Sequence, residues 1–462
     1  MFVGRQDELL QIKSLLNNNS KNTIMVYGKR RVGKSALILE AIKDCKYKVI
    51  YYECLLTTLQ ENIKNLERKI QEAFNNKFLH FENLADIFDF LGKCNEKIVI
   101  ILDEYSYLKS LAPKYYVDSL FQSIIDQMNN NISLVLLGSF VGMMKELLEK
   151  ENPLFGRFSL IINLKPFDYL DSSLFYKSCS VQQKIEFYSI FGGTPFSCNF
   201  INPNSSLEKN IVDLLLNPNG ILHLYIENIL LSELSKIANA NTLLSVLANG
   251  KKKYTEIENL VNLKSNGNLD KQLKNLIEME VIRKVFPINK RNDKKKTFYE
   301  ISDNLVRFYY QYVYKNKDVI SRIGEKAFYI NYIEPTIKSF ISHRFEEIAR
   351  EYFSRLSRSR VIRNVTDIGT YWYDIPEIKK NGEFDCVLRQ KNSYSIYEIK
   401  YYSKPLSEIE ANKEYQQIKE IKEIDNIKKV GFICLSGFSF KNKLYDLISG
   451  ENLYSLHEQQ TS

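Results

Sequence analysis

Hydrophobic and polar residues follow two alternating patterns along the first third of the chain. Short apolar runs, which predict buried strands, lie at residues 24–27, 49–52, 98–102 and 134–137. Amphipathic stretches with helical spacing, such as 59–74, separate these runs. Strands that are apolar on both faces and alternate with helices are typical of a parallel sheet covered by helices. The pattern therefore predicts an α/β domain at the start of the chain.

The middle of the chain has a different pattern. Residues 166–240 show mostly helical spacing, interrupted by the sequence GGTP. Residues 241–302 combine short helical segments with two apolar segments that are joined by the charged turn KRNDKKK. Helices followed by a hairpin with a basic tip indicate a winged helix.

From residue 320 onward the pattern changes again. Helical patterns at 334–356 and 409–424 accompany strand patterns at residues 371–373, 384–388, 395–399 and 430–435. Helices mixed with strands indicate a second α/β unit, here with a mixed sheet. The three patterns divide the chain into predicted domains 1–240, 241–315 and 316–462.

The amino-acid composition excludes several classes of protein. Apolar residues make up 44% of the 462, which excludes global disorder. The apolar runs are far shorter than the roughly 20 residues of a membrane helix, and the charged start MFVGRQDELL does not resemble a signal peptide. We therefore expect a cytoplasmic protein without membrane contact. Seven scattered cysteines and four dispersed histidines disfavour disulfides and zinc, so hydrolytic chemistry would rest on carboxylates, lysine and Mg²⁺.

A glycine-rich motif follows the first predicted strand and precedes a helical pattern. Residues 28–35 read GKRRVGKS, which fits G-x-x-x-x-G-K-[ST] in the context that a P-loop requires. Backbone N–H groups of such a loop surround phosphate oxygens at the start of a helix. Lys34 is expected to reach the β- and γ-phosphates of ATP, and the Ser35 hydroxyl to bind Mg²⁺. The residues expected to hold the nucleotide here are Gly28, Lys29, Arg30, Arg31, Val32, Gly33, Lys34, Ser35 and Ala36.

Two adjacent carboxylates end the third predicted strand. Asp103 is expected to bind the metal through water, and Glu104 to act as the general base that polarises the attacking water. Ser139 ends the fourth strand and is expected beside the γ-phosphate, with an ordinary strand-end turn as the alternative. Arg157 fits an arginine finger, with a solvated arginine as the alternative. The paired carboxylates favour hydrolysis of ATP over binding alone.

Six segments in a fixed order resemble the prokaryotic archaeal-type ATPase family, a relative of the STAND P-loop ATPases within the AAA+ group. They are FVGRQDEL at the N-terminus, the P-loop, ILDEYSYL, LLGS, PLFGR and FGGTP. The resemblance implies that Phe2, Gly4 and Arg5 flank the adenine, and that Pro195 packs on the base. Position 6, often Glu in this family, is Gln6 here.

The formal net charge of +9 is unevenly distributed. Residues 250–300 contain 13 Lys or Arg and 7 Asp or Glu, so a ninth of the chain holds two-thirds of the excess. The triplet at 251–253 and the turn at 290–296 are its most basic parts. A basic wing of this kind would contact nucleic-acid phosphates. The alternatives are a solvated loop, or a switch lid as the resemblance to STAND proteins implies.

A carboxylate–lysine pattern lies in the last predicted domain. Glu398 and Lys400 share one face of a strand because the side-chain period of a strand is two. Asp385 is expected to end or begin the neighbouring strand of a hairpin. Glu346, with Glu347 as the alternative, lies on a helix upstream, where it would complete a metal shell. The carboxylates would bind one or two Mg²⁺ ions, and Lys400 would position or deprotonate the attacking water.

Residues 335–445 resemble the PD-(D/E)XK nuclease superfamily, as the C-terminal domain of the same ATPase family does. The resemblance implies a restriction-endonuclease-like α/β fold with Asp385, Glu398 and Lys400 as the catalytic set. It also implies Glu346, Asp385 and Glu398 as metal ligands.

The resulting prediction is an ATP-hydrolysing P-loop ATPase that is coupled to a Mg²⁺-dependent nuclease-like domain. Its partner would be nucleic acid, with DNA favoured. The winged helix would hold the DNA together with an arginine cluster formed by Arg355, Arg358, Arg360 and Arg363. The alternative is an ATP-dependent regulatory switch whose C-terminal domain binds without cleaving. Assembly with further copies of the chain is left open.

Overall fold

The computed structural model describes residues 2–455 except 235, 236, 238, 262–267, 292, 376–379, 392, 422, 423 and 425. Parts of four predicted segments therefore lie outside the described residues. They are 235, 236 and 238 of the helical region 166–240, 262–267 of the basic segment, Asn292 of the charged turn, and 422–423 of the predicted helix 409–424. Contacts between Cα atoms divide the chain into two compact units. Unit 1 comprises Met1–Pro166, Thr194–Phe196 and Glu278–Glu280, and unit 2 comprises Phe167–Gly193, Ser197–Ile277 and Val281–Ser462.

Unit 1 is built on a parallel sheet with the strand order β2-β3-β4-β1-β5. Its strands are β1 (Asn22–Tyr27), β2 (Lys48–Glu53), β3 (Ile98–Asp103), β4 (Ile132–Gly138) and β5 (Leu160–Asn163). The four predicted strands are confirmed as β1 to β4. Strand β5 was not predicted, because it has only four residues, lies at the sheet edge and leaves Ile161 exposed.

Helices cover both faces of this sheet. They are α1 (Gln6–Asn17), α2 (Lys34–Ile42), α3 (Leu59–Phe74), α4 (Leu84–Gly92), α5 (Ser106–Ser110), α6 (Tyr116–Gln127) and α7 (Val141–Glu146). Along β3, Ile100 packs into one hydrophobic cluster and Ile101 into the cluster on the other face. This two-sided burial explains why each central strand is apolar throughout rather than alternating.

Unit 2 begins with a helical region. Its helices are α8 (Tyr169–Ser172), α9 (Val181–Phe191), α10 (Pro195–Phe200, whose first two residues belong to unit 1), α11 (Leu207–Ile211), α12 (Ile221–Tyr225) and α13 (Leu231–Leu234). π-helical turns at Val212–Leu216 and Ile226–Leu230 continue α11 and α12.

A second group in unit 2 combines three helices with a small antiparallel sheet. The order along the chain is α14 (Ala240–Leu247), β6 (Lys252–Lys253), α15 (Tyr254–Val261), α16 (Asn268–Glu278), β7 (Ile282–Val285) and β8 (Phe298–Ile301). The strands lie in the order β6-β8-β7, and β7 pairs with β8 as the predicted hairpin.

The remainder of unit 2 holds a second five-stranded sheet. Its helices are α17 (Asn304–Phe308), α18 (Lys317–Ile323), α19 (Glu325–Phe328), α20 (Glu334–Arg358), α21 (Glu408–Lys419) and α22 (Gly450–Tyr454). Its strands are β9 (Val365–Ile375), β10 (Lys380–Gln390), β11 (Ser393–Lys400), β12 (Ile427–Cys434) and β13 (Tyr445–Ser449). The order is β13-β12-β11-β10-β9, antiparallel from β9 to β11 and parallel from β11 to β13. The prediction of a mixed sheet is therefore confirmed.

The segment between β7 and β8, residues 286–297, packs on the edge strand of this sheet, and we call it the wing segment. The Ile288 N–H donates to the Thr370 carbonyl at 2.8 Å, and the Asn289 amide donates to the Trp372 carbonyl at 2.7 Å. Ile288 is buried in the same hydrophobic cluster as the sheet residues Tyr371 and Phe384. The wing segment thus covers part of the β9 edge, which would otherwise present unpaired backbone groups.

The basic side chains of the wing segment also have partners within unit 2. The Lys296 ammonium lies 3.6 Å from the centre of the Trp372 ring, and Arg291 forms an ion pair with Asp367. These contacts depart from the predicted role of the turn as a free basic tip, because two of its cations bind the protein itself.

None of the described helices combines the length with the apolar composition that crossing a membrane requires.

Removing the Ile288 side chain tests whether this packing stabilises unit 2. We expect Ile288→Ala to lower the free energy of unfolding by about 2–4 kcal/mol, since a buried aliphatic side chain is lost and a cavity remains. Urea unfolding followed by the fluorescence of Trp372, the single tryptophan of the chain, reports directly on β9. Ile409, which is 83% exposed on α21, supplies the matched control Ile409→Ala, with a change below about 0.5 kcal/mol. Equal midpoints for Ile288→Ala and the wild type would contradict the packing role.

Candidate functional site

The loop between β1 and α2 has the backbone conformation of a phosphate-binding loop. A Cβ atom on Gly28 would lie 2.2 Å from the Leu164 carbonyl oxygen, so only glycine fits there. Gly33 has φ +93° and precedes the first turn of α2, whose free N–H groups begin at Lys34. Together these constraints hold the loop around the N-terminus of α2, where an anion is favoured.

The side chains of the loop divide between the core and the site. Val32 is fully buried in a core cluster, and Ala36 is exposed on the first turn of α2. Lys34 is 6% exposed, and its ammonium group donates to the carbonyls of Gly28 and Lys29, both at 3.0 Å. The cation is therefore held inside the loop by neutral acceptors, which a phosphate group can replace.

Asp103 and Ser35 are in contact at the carboxyl end of the parallel strands. The Ser35 hydroxyl donates to Asp103 Oδ2 at 2.6 Å, and the Tyr51 hydroxyl donates to the same oxygen. Burial, and then the hydrogen bond to Asp103, raises the pKa of Tyr51, so this hydroxyl stays a donor. A hydroxyl and a carboxylate at this distance are hard oxygen ligands that fit Mg²⁺, which commonly takes one or two protein ligands beside substrate phosphates.

Glu104 and Ser139 are brought into direct contact. Glu104 has φ +53°, and its Oε2 accepts hydrogen bonds from the Ser139 backbone N–H at 3.1 Å and from the Ser139 hydroxyl at 2.7 Å. The predicted base is therefore held by the predicted strand-end residue. Both hydrogen bonds go to Oε2, so a water molecule would meet this carboxylate at its other oxygen, Oε1.

The N-terminal segment lies close to the sheet. Phe2 is half-buried against the core cluster on the α2 face. Gly4 and Arg5 both have positive φ, +66° and +61°, and the Arg5 guanidinium donates to the Lys165 carbonyl. A tight turn thus places these three residues beside the β5 end of the sheet.

Pro195 also lies at the P-loop. Its Cγ would be 3.6 Å from a Cβ on Gly33, and the next residue, Phe196, stacks under the Arg31 guanidinium at 3.6 Å. The Arg30 guanidinium donates to the Tyr107 hydroxyl at 3.0 Å. Three residues near the loop were not predicted, because each comes from a distant part of the chain: Phe196, Tyr107 and Tyr51. Only the aromatic residue directly after Pro195 gave a local signal.

Arg157 occupies a different environment. Its Nε and Nη2 donate to the two carboxylate oxygens of Asp126, both at 2.9 Å, and its Nη1 donates to the Pro153 carbonyl at 2.9 Å. Within the described residues its hydrogen bonds go to Asp126 and nearby carbonyls rather than to the P-loop.

In unit 2, three of the predicted carboxylates form one buried electrostatic group. Asp385 lies inside β10 at an irregularity of the β9–β10 pairing, not at a strand end as expected. Burial, and then the charge of Asp385, raises the pKa of Glu398 to about 8 and that of Glu346 to about 7. Burial also raises the pKa of Asp385, although Arg350, whose guanidinium donates to the Asp385 carbonyl at 2.6 Å, opposes it.

The structure distinguishes Glu346 from its alternative, Glu347. Glu347 accepts a hydrogen bond from Arg344 at 2.8 Å and forms an ion pair with Arg283. Burial opposes its ionisation, but these arginines outweigh burial and hold the pKa of Glu347 well below its ordinary value. Glu346 is therefore the glutamate that shares the electrostatic environment of Asp385.

Lys400 is directed towards a residue that sequence analysis missed. Its ammonium group donates to Glu414 Oε1 at 2.7 Å, on α21, and lies 3.8 Å from Glu398 Oε2. The contact with Glu398 agrees with the predicted shared face of β11. Among the described residues, no three His, Cys, Asp or Glu side chains are placed to hold a metal ion together. Asp385 and Glu398 lie on adjacent strands, and the charge of Asp385 acts on both Glu398 and Glu346.

A cavity of about 700 Å³ opens beside these carboxylates. Cationic and acidic side chains both line it, among them Lys251, Arg307, Arg344, Glu346, Arg350 and Asp385. Lys251 forms an ion pair with Glu383 at 2.7 Å. This volume is in the range of sites that take small ligands or part of a polymer.

The fold and the first site define a P-loop nucleotide-binding domain. Residues 2–197 match the sequence profile of an ATPase domain found predominantly in Archaea. Residues 309–418 match the profile of a family described as archaeal and bacterial proteins of unknown function.

Three known proteins are similar to this chain in sequence or in fold. An uncharacterized protein of Methanocaldococcus jannaschii is 28% identical over 424 residues, which are 90% of this chain and 91% of the relative. An uncharacterized ATP-binding protein of the same organism is 44% identical over 48 residues, which are 10% of this chain and 81% of the relative. The solved structure of a Walker-type ATPase of Pyrococcus abyssi has a TM-score of 0.51 at 21% identity, and the match covers 67% of this chain and 96% of that one. This last likeness shows a shared fold.

The raised pKa of Glu398 predicts a pH-dependent stability. Above pH 4.5 the unfolded chain releases this proton while the folded chain keeps it up to about pH 8, so the carboxyl lowers stability increasingly as pH rises through this window. In EDTA, Glu398→Gln should therefore raise the Tm by about 3–6 °C at pH 8.5 and by little at pH 5. Glu408→Gln, at an exposed position, is the control. An equal change of Tm at both pH values would show that Glu398 ionises normally.

Proposed function

We propose that the protein binds ATP with Mg²⁺ in unit 1 and hydrolyses it. The observation that carries this proposal is the group formed by Lys34 in the loop, Ser35 on Asp103, and Glu104 on Ser139. These are the parts that phosphoryl transfer to water requires: a cation for the phosphates, oxygen ligands for the metal, and a carboxylate base.

Each of these side chains has a defined task. Ser35 and Asp103 would hold Mg²⁺, which neutralises phosphate charge when it is bound. Lys34 exchanges its carbonyl acceptors for phosphate oxygens. Glu104 orients a water molecule and accepts its proton. Phe2, Arg5 and Pro195 would contact the adenine end of the nucleotide.

Replacing Glu104 tests the hydrolytic step. We expect Glu104→Gln to bind ATP with an affinity within about threefold of the wild type and to lower kcat at least about 100-fold, because the amide cannot accept the proton of the water. Phosphate release and the binding of a fluorescent ATP analogue measure the two quantities. Glu151→Gln, at an exposed site of unit 1, is the control. Unchanged turnover of Glu104→Gln would exclude Glu104 as the base.

We further propose that residues 241–315 are a winged helix and residues 316–462 a nuclease-like domain that acts on DNA. The helix–strand–helix–helix–hairpin order from α14 to β8 supports the first part. The second is supported by the order α20, β9–β11, α21, β12, with Asp385 and Glu398 on adjacent strands and Lys400 beside Glu398. Asp385 and Glu398 would hold the metal, which supplies Lewis-acid activation of the phosphodiester.

Asp385→Asn tests the nuclease activity. With linear and supercoiled DNA, ATP and Mg²⁺ or Mn²⁺, the wild type should cleave and Asp385→Asn should be at least about 100-fold slower, since a charged oxygen ligand is lost. ATP turnover should stay unchanged. Asp318→Asn, exposed on α18, should cleave as the wild type does. Equal inertness of the wild type and Asp385→Asn, with ATP turnover intact, would overturn the nuclease proposal.

A second candidate function is an ATP-dependent switch whose C-terminal domain binds without cleaving. The contact of Lys400 with Glu414 favours it, because this cation is committed to a helix rather than to a water molecule. Slow ATP turnover with nucleotide-dependent oligomerisation and intact DNA is the result expected from such a switch.

A further inference from the structure

A second cavity lies at the other end of the C-terminal sheet. It has a volume of about 630 Å³ and lies among the residues before β9, the β10–β11 turn and the start of β12. Strands β11 and β12 are parallel, and Ser395 pairs with Lys429 at this end while Lys400 pairs with Cys434 at the other. At about 3.3 Å per residue, the seven steps of β11 from Ser393 to Lys400 separate this cavity from Lys400 by about 23 Å.

Cations dominate this cavity, which we call the cationic pocket. Its charged residues are Arg363, Lys391, Lys428 and Lys429, and all four side chains are exposed. Asp and Glu are absent from its described lining, whereas the cavity at Asp385 is lined by acids as well as bases. One of the four cations, Lys429, forms an ion pair with Asp446 at 2.9 Å. Because few carboxylates oppose these cations, their fields add inside a concave surface and attract an anion.

Neutral hydrogen-bonding groups complete the lining. Asn364, Gln390 and Ser393 line the same cavity, with Gln390 and Ser393 linked by a hydrogen bond of 3.4 Å. Amide and hydroxyl groups beside lysine and arginine are the usual contacts of phosphate oxygens in nucleic-acid complexes.

Several of the basic residues that the sequence favoured for this task have partners within unit 2. Arg355 forms ion pairs with Asp168 and Asp171 at 2.5 and 2.6 Å, and it is only 17% exposed. Arg291 and Lys296 of the wing segment are bound to β9. Of the predicted arginine cluster, Arg363 is the member that lines the cationic pocket.

We propose that the cationic pocket binds the phosphates of a nucleic-acid backbone. This inference rests on the proposed function for one point, which is the choice of nucleic acid as the polymer. A duplex bound there and reaching Lys400 would span about 23 Å, or about seven base pairs at 3.4 Å per pair. The pocket would hold the strand in register, while the residues at Asp385 act on it.

Charge neutralisation in the pocket tests this inference. The variant Arg363→Gln/Lys391→Gln/Lys428→Gln is compared in the full chain with Lys64→Gln/Arg68→Gln/Lys77→Gln, which removes the same charges from exposed positions of unit 1. Fluorescence anisotropy of a labelled 20-base-pair duplex, in EDTA and 50–200 mM salt, measures binding. We expect the pocket variant to bind at least about tenfold more weakly at 100 mM salt. Its slope of log K against log salt should fall by about 2–3, since about 0.9 is lost per phosphate contact.

Binding within twofold of the wild type, an equal loss in both variants, or no duplex binding by the wild type at 50 mM salt would overturn the inference. Displacement of the duplex by micromolar pyrophosphate would do so as well, since the site would then take a free phosphate compound. Lys391→Glu, a single change in an exposed turn, repeats the test if the triple variant unfolds early. ATP turnover should be unchanged in the pocket variant. Asp385→Asn should bind normally, so loss of cleavage and loss of binding are separable.

Discussion

The pairing of buried charges along helix α20 is the constraint on which unit 2 depends. A charge removed from water lowers stability by several kcal/mol unless a partner compensates it. Over little more than two turns of α20, Glu347 binds Arg283 of β7, Arg350 binds the Asp385 carbonyl of β10, and Arg355 binds Asp168 before α8. Glu351 between them accepts hydrogen bonds from the Tyr188 hydroxyl and the Tyr169 N–H. One helix thereby fixes three groups of elements around itself.

The same constraint shapes the carboxylate site. The arginines on α20 are shared between Glu347 and the Asp385 backbone, so they do not fully balance Glu346, Asp385 and Glu398. Burial raises the pKa of all three carboxyls, and the charge of Asp385 adds to the rise for Glu346 and Glu398, so each tends to keep its proton. Glu347 differs from them, because Arg283 and Arg344 outweigh burial and hold the pKa of Glu347 below its ordinary value.

A feature could be predicted from the sequence when the pattern that indicates it lies within a short segment of the chain. The P-loop and strands β1 to β4 were predictable because glycine spacing and apolar runs are contained within about ten residues. Strand β5 has four residues at an edge, too few for a pattern. The partners of Arg355 and of the wing segment lie 187 and more than 70 residues away, and no periodicity reports such pairs. Whether a basic residue is exposed therefore depends on tertiary contacts, which the local sequence does not show.

The nucleotide site of unit 1 also depends on how its charged groups are compensated. Lys34 and Glu104 have protein partners, the loop carbonyls and Ser139, so neither leaves an unsatisfied buried charge before nucleotide arrives. The loop carbonyls are neutral, whereas a phosphate group carries negative charge, so a phosphate oxygen would attract the Lys34 ammonium more strongly than a carbonyl oxygen does. For Glu104, both hydrogen bonds from Ser139 go to Oε2, so Ser139 can fix the orientation of this carboxylate while Oε1 faces a water molecule in the proposed reaction.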